Sequence, residues 1–124
     1  MGRFQDLEVW KLAKDLAKKV YEVSGPKQFK NDFGFMDQIR RATISVSSNI
    51  AEGEESGYLK TSLKHFRISK GSNAEVRSQA IVANDIGYLS EEEMNEIVEM
   101  SNQISKKLFF LIKYRESLLE KSSR

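Results

Sequence analysis

The stretch QIRRATISVSSNIAEGEESG, residues 38–57, decides how the chain is read. Ile39, Ala42, Val46, then Asn49 or Ile50, and Gly53 recur at three-four spacing, yet Thr43, Ser45, Ser47, Ser48 and Asn49 crowd the same run. A Ser or Thr lowers helix propensity by only a few tenths of a kcal/mol relative to Ala. Small hydroxylated side chains also let two backbones approach closely, because each hydroxyl can bond back to the preceding turn. The stretch therefore predicts a helix from about Asp37 to about Glu54 whose small-residue side packs against another helix, with Gly53 and Gly57 at its exit.

Reading toward the C-terminus, a third helix is expected over roughly Leu59 to Ile86. Its inner line is Ser62, Phe66, Ser69, Asn73, Val76, Ala80 and Ala83, small or polar apart from Phe66 and Val76. Gly71, in the run GSNAE, reads as a close-packing position. Gly87 fits a left-handed C-terminal cap, and Ser90 with Glu93 forms a capping box for a fourth helix. That helix carries Met94, Ile97, Ser101, Ile104, Leu108, Leu111, Arg115 and Leu118 at heptad spacing. Toward the N-terminus, Asp6 can cap a first helix with two apolar stripes, which Gly25-Pro26 ends. The connection over residues 25–36 holds Phe29, Phe33 and Phe35, which are not all expected to face water, so it should fold back over the bundle end. No strand alternation appears. The expected fold class is all-α: one domain over residues 1–124, an antiparallel up-down-up-down four-helix bundle.

The chain has no cysteine and one histidine, which removes disulfides, thiolate nucleophiles and the usual zinc and iron-sulfur ligand sets. Its longest apolar run, LFFLI at residues 108–112, is far too short to span a bilayer, and a soluble cytoplasmic protein without a membrane partner is expected. The 20 basic and 18 acidic residues leave a net charge of +2, short of a dedicated nucleic-acid binder. The distribution is uneven: residues 57–89 carry five Lys/Arg against two Asp/Glu, and residues 31–56 carry two against five.

Arg40, Arg41, Lys60, Lys64, Arg67, Lys70 and Arg77 form the candidate nucleic-acid row. Lys60, Lys64 and Arg67 share one helix face by spacing. Such a row would neutralise phosphates with little base specificity. The alternative is a solvated face with ion pairs to Asp37 or Glu52. Asn49, Glu52, Ser72 and Glu75 form a second group, read as a buried hydrogen-bond network partnered by Arg41 or by backbone. A carboxylate metal site is the rival there, but His65 lacks the Glu three residues before it that a di-iron bundle needs; Ser62 stands in that place. No catalytic set, cofactor or small-molecule substrate is indicated. On the fourth helix, Val98, Phe109, Ile112 and Leu119 make a second apolar stripe, with Phe110 and Tyr114 beside it. That surplus suits either subunit packing or one wide core-facing side.

FQDLEVWKLA near the start, QIRRATISVSSNIAEG at 38–53 and RISKGSNAEVRSQAIVANDIGYL at 67–89, with the closing amphipathic helix, resemble the four helix bundle protein or 23S rRNA-intervening-sequence protein family. The resemblance covers nearly the whole chain. It implies an antiparallel four-helix bundle assembling as a ring-shaped homopentamer, similar to the accessory protein of diversity-generating retroelements, with no enzymatic activity. Lys70 and Asn73 stand where the family usually has aliphatics, and Glu54 and Glu55 depart from its basic linker. The function expected on this basis is a scaffold or binding module for structured RNA or a nucleic-acid-handling protein. The alternative is a purely structural or protein-interaction oligomer without nucleic-acid contact.

Overall fold

The computed structural model describes residues 2–122 and, among them, four α-helices and no strand: α1 (Glu8–Val23), α2 (Phe33–Glu55), α3 (Leu59–Asp85) and α4 (Glu91–Ser122). A single 3-10 turn, Phe4–Asp6, precedes α1. Around the bundle α1 packs on α2, α2 on α3, α3 on α4 and α4 back on α1, while the diagonal backbones stay apart. None of the described helices is long and apolar enough to cross a membrane.

Helix length decides where the core lies. At ~1.5 Å per residue, the 16 residues of α1 cover about 24 Å, half of what the 32 residues of α4 span. The main core runs along all four helices through Leu16, Val20, Ile39, Val46, Val76, Ile97, Ile104 and Leu108. A second, smaller cluster of Leu63, Phe66 and Ile112 fills the end where α3 begins and α4 finishes. There a side-chain ion pair bridges the diagonal: Arg115 Nη2 lies 2.7 Å from Glu54 Oε1, with only 8% and 4% of the two side chains exposed. The Gly2 amide donates to the other Glu54 oxygen at 3.1 Å, and the Arg115 guanidinium lies over the Phe66 ring at 5.4 Å.

The α3–α4 connection follows its sequence signals closely. Gly87 has φ 85°, Tyr88 N–H donates to Ala83 O at 2.8 Å and Gly87 N–H to Asn84 O at 3.1 Å, the paired bonds of a Schellman cap. Ser90 and Glu93 exchange bonds of 2.9 and 3.0 Å as a capping box. Two other boundaries differ from expectation. Asp6 sits in the 3-10 turn, and Leu7 holds the N-cap position of α1 with no side-chain bond, because the turn already takes the preceding backbone groups. α2 starts at Phe33 rather than Asp37, since the Asp32 carboxylate accepts the Phe35 amide at 3.2 Å and caps a turn that looked like loop. The shortened connection does fold over the bundle end. Phe29 is fully buried and packs with Phe35 and Tyr88 at ring distances of 5.3–5.8 Å, while Phe33 faces water. Tyr88 donates its hydroxyl to Asp32 at 2.8 Å, and this bond, with some burial, raises the phenol above its ordinary pKa.

The seam between α2 and α3 is closed by hydroxyls, mostly from α3: of those at residues 43–49 only Ser45 reaches across, Ser47 bonds back to Ile44 O at 3.1 Å, and Thr43 Oγ1 is buried without a partner among the described residues. Ser69 donates to Val46 O at 2.8 Å, Ser45 and Ser72 pair at 2.8 Å, and Ser62 donates to Gly53 O at 2.6 Å. A Cβ at Gly53 would stand 2.6 Å from the Phe66 ring, so this glycine sets the approach. Gly71 does not: it is exposed, with nothing within 4 Å of where its Cβ would be, because its side of α3 points away from every neighbour. On the α4 side, buried Asn73 donates to Ser101 O at 2.9 Å and accepts from Ser101 Oγ at 2.9 Å.

Candidate nucleic-acid interface

The seven basic residues of the candidate row separate into three groups. Two are committed to the protein itself. Arg40 donates to Ser24 Oγ at 2.8 Å and to the carbonyls of Tyr21 and Ser24 at 3.3 Å, with its guanidinium 4.5 Å from the Tyr21 ring centroid. It thus closes the C-terminal end of α1, whose last carbonyls lack intrahelical donors. Arg77 donates to Ser101 Oγ at 3.0 Å beside the buried Asn73. These bonds turn both guanidiniums toward the protein and leave fewer of their donors for a phosphate.

Two more are paired at the surface. Arg41 holds Asp37 at 2.7 Å, one turn back on α2, and that hydrogen bond raises the guanidinium pKa above its ordinary value. Arg67 reaches across to α4 and meets Glu116 at 2.6 Å. The remaining three, Lys60, Lys64 and Lys70, are exposed on α3, and among the described residues none of them forms an ion pair.

On the outer side of the α3–α4 seam the side chains leave a groove. One concavity of about 420 Å³ is lined by Arg67, Lys70, Phe109, Ile112, Lys113 and Glu116. A second of about 560 Å³ adjoins it through Arg67 and Glu116 and continues past Leu63 and Leu119 to Lys60. At the upper end Phe109 is 48% exposed, with Lys70 Nζ 5.9 Å and Lys113 Nζ 5.6 Å from its ring centroid. Beyond the lower end a third concavity, joined to the second at Lys60 and Leu119, reaches Tyr58 at the start of α3, which is 74% exposed. Cations and open aromatic faces thus share one surface. Lys113 was absent from the candidate row. Its spacing to Phe109 and Glu116, four and three residues, puts the three on one side of α4, but only packing shows that this side faces Lys70.

The second candidate group is joined only in part, and it is not buried. Ser72 bonds Ser45, Ser45 accepts from Asn49 at 3.1 Å, Asn49 Oδ1 meets His65 Nδ1 at 3.0 Å, and His65 Nδ1 lies 3.2 Å from Glu52. The chain lies at the outer edge of the α2–α3 seam: Asn49, Ser72 and His65 are half-buried and the Glu52 side chain is 62% exposed. Glu75 is outside it, exposed and bonded only to Gln79 one turn on. Arg41 is no partner. Among the described residues no group of three His, Cys, Asp or Glu side chains could hold a metal ion. The buried charges belong instead to Glu54 and Arg115, 61 residues apart in sequence.

The second apolar stripe of α4 is also redistributed. Ile112 is buried against Leu63 and Phe66, and Leu119 packs half-buried on the same cluster, so both serve the chain's own core. Val98 is half-buried, and Phe109 faces the groove. The apolar surface of α4 that stays open elsewhere is Phe110 and Tyr114, each 59% exposed.

The protein of unknown function from the S23 ribosomal protein family of Bacteroides thetaiotaomicron VPI-5482, a crystal structure at 1.70 Å resolution, shares this fold. The two superpose with a TM-score of 0.76 at 21% identity, over 85% of this chain and 98% of that one. No curated protein matches the sequence. The model of the 23S rRNA-intervening sequence protein family matches residues 5–109, most of the chain, and the protein therefore belongs to that family.

Proposed function

We propose that the protein is a non-catalytic homo-oligomer, a ring of five antiparallel up-down-up-down bundles, that binds structured RNA through phosphate contacts on its α3–α4 face. The observation that carries the RNA reading is the gathering of Arg67, Lys70 and Lys113 on one groove. Each can neutralise a phosphate without leaving a buried partner unpaired. A net charge of +2 per chain is modest, but a ring repeats the groove around one axis, and adjacent copies add their fields. The family description itself names 23S rRNA, and the cytoplasm is the setting this reading assigns.

The register of the seams supports the antiparallel arrangement: α3 residues 62, 69 and 72 meet α2 residues 53, 46 and 45 in descending order. Asn73 and Arg67 likewise meet Ser101 and Glu116 on α4. For the oligomer, Phe110 and Tyr114 offer an exposed aromatic patch one turn apart on α4, continuous with Phe109, whose ring centroid lies 5.4 Å from that of Phe110. The number five rests on the family resemblance. The rival, an oligomer with no nucleic-acid contact, draws on the commitment of Arg40 and Arg77 to the protein and of Arg67 to Glu116.

Fluorescence anisotropy with a structured RNA fragment across a salt series, with assembly mass measured on the same sample, separates the two. Three phosphate contacts per groove give a log–log salt slope of about −3 for each groove engaged. Binding that is absent, or indifferent to salt, in a confirmed oligomer favours the protein scaffold. Phe110→Glu combined with Tyr114→Glu should reduce the mass to that of one chain with helicity retained; an unchanged mass removes the aromatic patch as the interface.

A further inference from the structure

We infer that the α3–α4 groove takes an unpaired strand of RNA rather than a duplex, with a base stacked on Phe109 and the flanking phosphates on Lys70 and Lys113; this rests on the RNA reading above. A continuous helix offers phosphates, but its base faces are covered by stacking, so lysines alone would suffice for it. Here an aromatic ring lies half open between two lysines, at a position where α3 and α4 leave space of about 420 Å³. The two cation–π contacts are exposed and weak, and either ammonium can leave the ring for a phosphate while a base takes its place.

The length of the groove agrees with a short strand. From Tyr58 to Lys70 it follows about twelve residues of α3, roughly 18 Å at the helical rise. That holds about five nucleotides at a stacked spacing of ~3.4 Å, fewer if the strand is stretched. Tyr58, 74% exposed at the far end, offers a second ring. Lys60 and Arg67 lie between the two rings for the intervening phosphates.

Glu116 gives the groove an internal competitor. Its carboxylate occupies Arg67 at 2.6 Å, where a phosphate oxygen would bind, so a strand must displace it to use that arginine. Glu120, on the same wall, adds a second negative charge. Affinity is therefore held below what the cations alone would supply, and removal of the Glu116 charge should raise it.

The test compares oligouridine with a blunt RNA duplex carrying the same number of phosphates, by anisotropy, using the full chain in its native assembly. Oligouridine should bind about tenfold or more tightly, and Phe109→Leu should weaken it about tenfold while leaving its salt slope unchanged. Phe109→Trp should restore binding, which separates stacking from a packing defect. Lys70→Gln should weaken both ligands and lower the slope by about one. Glu116→Gln should tighten oligouridine several-fold. Equal, salt-dependent binding of both ligands with Phe109→Leu neutral would overturn the stacking inference and leave the phosphate reading intact. Salt-independent or absent binding of both would overturn the two together.

Discussion

α3 meets its two neighbours in opposite ways. Against α2 it presents Ser62, Ser69 and Ser72, and three hydroxyl bonds of 2.6–2.8 Å close the seam around Gly53. Against α4 it shares the Asn73–Ser101 pair near mid-length, and toward its N-terminal end long side chains frame a groove over Leu63 and Ile112. Short side chains that bond to the opposite backbone draw two helices together and leave no room for a ligand. Long cationic side chains and a phenyl ring hold a surface open. One helix thus has a closed side and an open side, and the difference is made by side-chain length.

The largest expected effect lies where the two regions meet. Arg115→Met would leave the Glu54 carboxylate buried without its cation, at a cost of about 3–5 kcal/mol in urea unfolding. Adding Glu54→Leu should recover much of that loss; if the double variant is as unstable as the single one, lost packing outweighs the stranded charge. Next, Gly53→Ala should cost about 1–3 kcal/mol, because the new methyl group meets the buried Phe66 ring and stands 3.1 Å from Ser62 O. A neutral unfolding midpoint would mean that the closed seam has slack. Ser69→Ala removes the bond to Val46 O and should cost about 1 kcal/mol. Smallest is Gly71→Ala, at an exposed helical position with open space around it, which should stabilise by up to about 1 kcal/mol. Opposite signs at Gly53 and Gly71 would separate the closed side of α3 from the open one directly.

What could be read from sequence was local. The Gly87 cap and the Ser90–Glu93 box depend on residues a few positions apart, and the heptad seam of α4 predicts that Arg115 faces inward. Asp32 was missed as a cap because Phe33, Gly34 and Phe35 after it resemble a covered loop more than a first helical turn. The fates of the arginines were not legible. Arg40 and Arg77 have long stems that reach whichever acceptor the fold brings near, and those acceptors, Ser24 and Ser101, lie 16 and 24 residues away. The two glycines make the same point. Gly53 and Gly71 both sit inside helices, and only the position of Phe66 distinguishes them. The groove was visible as Lys60, Arg67 and Lys70 on one element and Phe109 on another; that they form one surface follows from how α4 packs beside α3.

Trp10, the only tryptophan, packs edge-on against Phe4 at 5.0 Å near the start of α1, the helix whose backbone stays apart from that of α3. Its emission therefore reports the integrity of the N-terminal corner, and a ligand in the groove should leave it unchanged. A single cuvette can thus follow unfolding through intrinsic fluorescence while a labelled strand reports occupancy, so that a variant which has lost its shape is told apart from one which has lost only its ligand.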